Sequence, residues 1–418
     1  MIKGSATVLG IALIALILAG VVLVFSYVQT QELRSLINSQ QGKLEEIAEG
    51  VKSLGSRMNS SAEQISSLQE RIDELSRRLA DVESKFTDFN SSLTDLKKAI
   101  EESKFPVTVI DASGNAVTIP KKPERIVSGA PSITEILFSI GAGSSVVGVD
   151  QFSNYPPEVN DLVNNGSIRI IGGYATLNIE EILSLNPDLV LLDAGLQQKY
   201  AEKLSSMGIT VIVLKESSIA DIFNDILLLG AVTGHMDEAV TLVNQMRSMI
   251  TATYQKVIQY MNQTGSEQVK VYYEIFPDYW TIGNTSFLSD VLSIAGGINI
   301  FSNESRAYFV ASPEAIISAD PDIILLNYNY GYYGNAEELI SKVSSRQGWG
   351  NITAVHDGRI YVFSAGVEDL MVRPGPRTAI AIAIVARVLY PEAFGITQVP
   401  NEINSTVIEG WGLSLNLG

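Results

Sequence analysis

Residues 178–193, NIEEILSLNPDLVLLD, return at 312–327 as SPEAIISADPDIILLN, with seven of sixteen positions identical and no gap. Each copy reads as a short helix, a Pro-Asp turn and an apolar strand, a unit that cannot bury its own apolar face. Thr134-Glu135-Ile136-Leu137 with Gly141-Ala142-Gly143 is echoed more weakly by Ser289-Asp290-Val291-Leu292 with Gly296-Gly297. The doubling predicts two similar α/β lobes. Around the repeats, short apolar runs alternate with helical segments, the pattern of a parallel sheet: Ile126-Val127, Val146 to Val149, Leu189 to Leu192, Val211 to Leu214, Val269 to Ile275, Ile323 to Leu326 and Ile360 to Phe363. Val107 to Ile110 and Ala116 to Ile119 read as a hairpin. Met236 to Met261 has neither Gly nor Pro and carries apolar residues at helical spacing, which predicts one long rigid helix between the lobes and little hinge motion.

The first quarter of the chain obeys other rules. Ser5 to Val28 is 24 residues without a charge, enough to cross a hydrocarbon core of roughly 30 Å. Lys3 is the only charge before it, so the positive-inside rule predicts a cytoplasmic N-terminus and an extracytoplasmic body. A cleaved secretory signal is the rival; the run exceeds its usual apolar length, and no A-x-A site follows. Cutting at Lys3-Gly4, as in pilin-like signals, would leave the anchor in place. Eight Asn-x-Ser/Thr sequons, beginning at Asn59, Asn90, Asn165, Asn262, Asn284, Asn303, Asn351 and Asn404, lean toward the same topology.

From Leu33 to Ile100 apolar residues recur at spacings of four and three over nine heptads, broken only by Gln40 and Ser61. This predicts a coiled-coil stalk that spaces the body from the membrane, roughly 100 Å long if continuous. Its narrow seam calls for a partner helix, hence self-association, with a lone tether helix as the alternative. The expected division is 1–28 tip and transmembrane anchor, 29–105 stalk, 106–235 first lobe, 236–262 joining helix, 263–395 second lobe, and 396–418 a tail whose packing the sequence leaves open.

Composition then narrows the chemistry. The chain has no cysteine and two histidines, which excludes thiolate metal sites, disulfides and cysteine nucleophiles; His235 and His356 read as cap or surface residues. With 46 acidic against 29 basic side chains and no basic block, it is a poor nucleic-acid binder. Gly141-Ala142-Gly143 follows a helix and precedes a strand, the wrong context for a dinucleotide loop. No nucleophile elbow, phosphate loop or zinc-protease motif occurs, so no enzyme, resident cofactor or metal is expected. A cleft between two lobes remains, and in open α/β sheets ligands sit at the carboxyl ends of the strands. The loops expected there carry Phe152, Tyr174, Asp193, Tyr279, Trp280, Tyr308, the run Tyr328 to Tyr333, Asp369 and Arg373. Aromatics suit a large, partly apolar ligand, and an Arg or Asp fixes its orientation.

P-E-R-I-V-S-x-x-P-S-x-T-E-I-L-F-x-I-G-A-G-x-x-V-V-G-V at Pro123 to Val149, N-x-E-x-I-L-S-L-N-P-D-L-V at Asn178 to Val190 and A-G-G-x-N-I-F at Ala295 to Phe301 resemble ABC-importer substrate-binding proteins of the metal-chelate class. The resemblance spans about Pro106 to Phe394. It implies two lobes and one rigid joining helix. It also implies delivery of cobalamin, a ferric siderophore, haem or, in some archaeal members, an oxyanion such as molybdate or tungstate to a permease and its ATPase. It further implies docking acids on each lobe, at Glu180 and Glu314, which first-turn placement near a helix dipole also explains. Phe152, Tyr174, Trp280, Tyr308, Asp369 and Arg373 fall on positions that resemble cobalamin contacts, whereas the position of Asp193 is aromatic in that class. That departure leaves corrinoid and ferric chelate both open, with the corrinoid favoured. A structural surface protein with a non-binding head is the rival from another class.

Overall fold

The computed structural model describes residues 2–53, 58–328, 334–364 and 366–415. The chain divides into two compact units, Met1–Pro106 and Val107–Gly418.

In the first unit, α1 (Ile2–Ser53) runs without a break through the uncharged segment, and α2 (Met58–Ser103) follows. Leu16–Glu46 is long and apolar enough to cross a membrane. Ile14, Leu18, Val21 and Phe25 stand about 60% exposed, as side chains facing lipid do. The heptad seam behaves differently from the expected single 68-residue stalk. The two helices lie side by side, and an Arg34–Glu83 ion pair at 2.9 Å joins residues 49 apart in sequence. Ile72 and Leu75 are buried, and Leu33, Ile37, Leu68 and Leu79 are half-buried. A narrow apolar seam needs a partner helix, and a chain that folds back supplies one itself. Within α1 and α2 the partner helix is therefore another part of the same chain.

The second unit opens with the hairpin β1 (Val107–Ile110) and β2 (Ala116–Ile119). The first lobe then runs β3 (Ile126–Ser128), α3 (Pro131–Ser139), β4 (Val146–Val149), α4 (Glu158–Asn164), β5 (Arg169–Ile170), the small pair β6 (Gly172–Gly173) and β7 (Thr176–Leu177), α5 (Ile179–Ser184), β8 (Leu189–Asp193), α6 (Gln198–Ser206) and β9 (Val211–Leu214). Its sheet has the order β5-β4-β3-β8-β9, and every pairing is parallel, so all the strands end at one edge. The chain leaves through α7 (Ile219–Thr233) and α8 (Met236–Thr264). Gly234 (φ +77°) and Gly265 (φ +69°) bracket α8, which is about 43 Å long at 1.5 Å per residue.

The second lobe runs β10 (Val269–Phe276), β11 (Trp280–Ile282), α9 (Phe287–Ile294), β12 (Gly297–Asn299), β13 (Tyr308–Val310), α10 (Pro313–Ala319), β14 (Ile323–Asn327), α11 (Ala336–Ser344), α12 (Thr353–His356), β15 (Ile360–Phe363), α13 (Val367–Val372), α14 (Thr378–Leu389), β16 (Glu402–Ile403) and α15 (Ser405–Gly410). Strands β10, β14, β15 and β16 are parallel, and β11 and β13 extend the sheet antiparallel. Residues 396–415 are a packed tail: β16 pairs with β15, Ser364 Oγ donates to Glu402 Oε1 at 2.5 Å, and the Tyr155 hydroxyl of the first lobe donates to Leu415 O at 3.3 Å.

The repeat has a structural cause. Asn178 caps α5 by accepting from Glu180 N and Glu181 N, and Ser312 caps α10 by accepting from Ala315 N. The Pro-Asp turns then clamp the neighbouring central strands. Asp188 accepts from Glu124 N and Arg125 N just before β3, and Asp322 accepts from Lys270 N at the start of β10. A carboxylate on backbone N–H groups at this point sets the register of two parallel strands that no hairpin can set. Each lobe has its own core, around Ile182, Val190 and Leu192 in the first and around Tyr272, Leu326 and Trp349 in the second.

Candidate functional site

The strands of the two sheets carry their chemistry at their carboxyl ends. On the first lobe, Asp193 closes β8, and its carboxyl is organised by neighbours. The Tyr174 hydroxyl and Gly195 N each donate to Oδ1 at 2.8 Å. Gln197, fully buried, accepts from Asp193 N at 3.0 Å and donates to Gly129 O at 2.6 Å and Tyr174 O at 2.8 Å. This clamp passes so close to Gly129 that a Cβ there would lie 2.6 Å from the Gln197 amide oxygen. Glu216, just beyond β9, accepts from Ser132 Oγ at 2.5 Å. Burial pushes the Glu216 carboxyl well up, and the neighbouring acids Asp193, Asp225 and Glu135 add to it. Asp225 behind them is pushed up to about 8, by burial first and then by Asp221 and Asp193. Phe152, half exposed, is presented by an Asx turn in which Asp150 accepts from Phe152 N at 2.8 Å. Asp150 is pushed up to about 6 by burial.

The second lobe offers apolar surface instead. Register pairs Phe276 with Trp280, Trp280 with Val310 and Ile282 with Tyr308, which places Phe276, Trp280, Val310 and Tyr308 on one face. They are 59%, 43%, 52% and 44% exposed, while Thr281 and Phe309 on the opposite face are buried. Burial raises the Tyr308 hydroxyl, and the charges of Glu216 and Asp193 on the other lobe raise it further, so Tyr308 lies within electrostatic reach of those carboxyls. The turn that carries Trp280 is strained: Asp278 and Tyr279 both have positive φ, +61° and +67°. It is held by Arg346, whose guanidinium lies 4.4 Å from the Tyr279 ring centroid and makes two bonds, at 2.6 and 2.7 Å, to buried Glu274.

Of the residues expected in the cleft, Tyr174, Asp193 and Tyr308 come together, with Trp280 beside Tyr308 and Phe152 on the first lobe. Asp369 and Arg373 are buried, at 8% and 6% exposure, and are engaged with each other. Arg373 bonds Asp369 Oδ2 at 2.9 Å and Asn154 Oδ1 at 2.7 Å and approaches Glu135 at 3.5 Å. Arg377 donates from Nε to Glu135 Oε2 at 2.8 Å and from Nη2 to Glu135 Oε1. Together they form a buried ionic lock between the start of α14 and α3 of the first lobe. Residues 329–333 of the tyrosine run lie outside the described residues. Sequence reasoning missed Glu216, Phe276 and Val310, whose roles come from pairing across strands. It also missed the Glu135–Arg377 pair, although both residues stood in plain sight in T-E-I-L and Pro374-Gly375-Pro376-Arg377.

Glu180 and Glu314 are exposed in the first turns of α5 and α10. An open groove of about 470 Å³ lined by Thr176, Asn178, Tyr200 and Lys203 runs past Glu180. His356 is exposed with Nδ1 2.7 Å from Asp357, and His235 lies 3.8 Å from Glu238. Among the described residues, no group of three or more His, Asp or Glu side chains could hold a metal ion.

Two α/β lobes joined through α7 and α8 match the family model described as periplasmic binding protein over residues 126–365. The chain belongs to the periplasmic binding protein family. It is 33% identical over 298 residues to an uncharacterized ABC transporter substrate-binding lipoprotein of Bacillus subtilis, covering 69% of this chain and 87% of the relative. It is 29% identical over 279 residues to a cobalamin-binding protein of Halobacterium salinarum, covering 64% and 73%. Among solved structures, a periplasmic heme-binding protein from Roseiflexus matches with a TM-score of 0.54 and 26% identity, covering 65% of this chain and 99% of that one.

Proposed function

We propose that this member of the family is the extracytoplasmic substrate-binding component of an ABC importer, tethered to the membrane by α1, and that its cleft takes a corrinoid. The observation that carries the reading is the exposed face of Phe276, Trp280, Val310 and Tyr308, whose Tyr308 lies within electrostatic reach of Tyr174 and Asp193. A broad planar ligand gains by covering such a face, and polar groups on the opposite wall orient it. The cobalamin-binding relative agrees with this choice. A ferric siderophore or haem is the second reading, favoured by the fold match to a heme-binding protein. A small oxyanion fits poorly, because the buried arginines are already spent on Glu135 and Asp369. Glu180 and Glu314, one on each lobe and both exposed, are the residues that would dock on the permease. The ligand is bound and released, and no bond in it is made or broken.

Thermal unfolding of the full chain in detergent, against cyanocobalamin, a ferric siderophore, haemin and molybdate, tests the reading. A ligand that binds only the folded state raises its stability, by about 2.7 kcal/mol at a hundredfold excess over Kd. Stabilisation by cyanocobalamin alone is the expected result. A shift with haemin or the siderophore instead selects the second reading, and no shift with any of them supports a non-binding head.

A further inference from the structure

The first-lobe wall of the cleft has acceptor oxygens and no matching donors. Both hydrogen bonds to the Asp193 carboxyl fall on Oδ1, and the one to Glu216 falls on Oε1. Asp193 Oδ2 and Glu216 Oε2 accept nothing among the described residues, yet neither is sealed from solvent. Behind them Asp225, 6% exposed, has an Oδ2 that is both buried and without a hydrogen-bond partner among the described residues. The cations at this end of the molecule are occupied. Arg373 and Arg377 serve Glu135, Asp369 and Asn154, and Lys215 lies 3.5 Å from Asp221. The opposing wall of Phe276, Trp280 and Val310 has no charge to offer.

A ligand filling this space must therefore bring hydrogen-bond donors to one edge and an apolar plane to the other. A carboxylate or phosphate at that edge would meet the Asp193 carboxylate in a partly desolvated site, with no cation to compensate. Amide N–H groups or an ammonium would satisfy the idle oxygens. Resting on the chelate-binding reading, we propose that Asp193 and Glu216 form a subsite for ligand N–H donors. The cleft thus selects planar chelates with a neutral or cationic rim and rejects those with an anionic rim.

Rings that share one skeleton and differ only at the rim test this. Binding of dicyanocobinamide, whose rim is amide, and of dicyanocobyrinic acid, whose rim is carboxylate, is measured on the full chain in detergent at pH 7.5. The amide ring is expected to bind at least about tenfold more tightly. In Asp193→Asn/Glu216→Gln the preference should fall below about threefold, chiefly through tighter binding of the acid. Asp193→Asn alone, which removes the charge at that edge, should account for most of the fall, and it serves if the double variant fails to fold. Equal affinities, or tighter binding of the acid, overturn the proposal while leaving the corrinoid reading intact. If neither corrinoid binds, that reading fails, and haemin against its bis-amide applies the same comparison: preference for the bis-amide upholds the donor subsite, preference for haemin overturns it. Binding of neither pair overturns both.

Discussion

The two lobes start from the same sixteen-residue unit and finish it differently. Both begin with a cap, at Asn178 and Ser312, and both clamp a neighbouring strand with an aspartate, Asp188 and Asp322. At the last position the copies part. Asp193 receives the Tyr174 hydroxyl at the cleft, whereas Asn327 is buried and accepts from Tyr273 at 2.7 Å. The second lobe then adds β11 and β13 and with them an exposed aromatic face, while the first keeps an all-parallel sheet and an acidic edge. The shared residues hold sheets together; where the copies differ, Asp193 lies at the strand end that the proposed cleft uses and Asn327 is tied to Tyr273. Repetition supplies the scaffold, and the proposed recognition chemistry sits where the repeat breaks.

Severing the lock between the lobes should have the largest effect. Glu135→Ala leaves Arg373 and Arg377 buried without their shared carboxylate, and such removals cost about 3–5 kcal/mol; chemical denaturation measures it. A loss below about 1 kcal/mol would show that the lobes hold their arrangement without the lock.

Next comes the response of the buried carboxyls to pH. Asp150 and Asp225 of the first-lobe side are pushed up to about 6 and about 8, above the ordinary carboxylate value they regain on unfolding. The folded state therefore holds protons that the unfolded chain releases. The stability these groups contribute is complete below about pH 4 and is lost as the pH rises through 6 and then 8. Asp225→Asn should flatten the decline in melting temperature between pH 6 and 8, and an unchanged pH slope would contradict the assignment.

Trp280→Ala should weaken chelate binding by about 2 kcal/mol, roughly thirtyfold, as loss of a central aromatic contact does. Trp280 is 43% exposed, so the melting temperature of the unliganded chain should move little. The smallest effect separates the two caps. Asn178 serves two N–H groups and Ser312 one, so Asn178→Ala should cost about 1–2 kcal/mol and Ser312→Ala about 1 kcal/mol or less. Urea unfolding of the two variants decides it, and the reverse order would show that capping is not what the repeat preserves.

How much could be read in advance follows from how local each signal is. The strands from Ile126-Val127 to Ile360–Phe363 and the helix after His235 were legible, because period acts within a few residues. The strands β11, β13 and β16 were not, since two or three residues carry no period and gain their identity from a partner strand. The stalk shows the same limit from the other side. Its seam announced a partner helix, but nothing in the heptads says whether that partner is another chain or the other half of this one. Arg373 was legible as a residue of consequence, and its spending on Glu135, Asn154 and Asp369 appears only when the two lobes are placed together. Tyr174 and Asp193 were expected in one loop cluster and are found hydrogen-bonded.

The central claim is that a planar chelate lies against the aromatic face of the second lobe. The chain has three tryptophans, and they are placed to report on it: Trp280 on that face, Trp349 in the second-lobe core and Trp411 in the tail. Titrating cyanocobalamin into the full chain should give saturable quenching of tryptophan fluorescence, most of which disappears in Trp280→Ala while Trp411→Phe retains it. Quenching that never saturates, or that survives Trp280→Ala undiminished, would contradict the account.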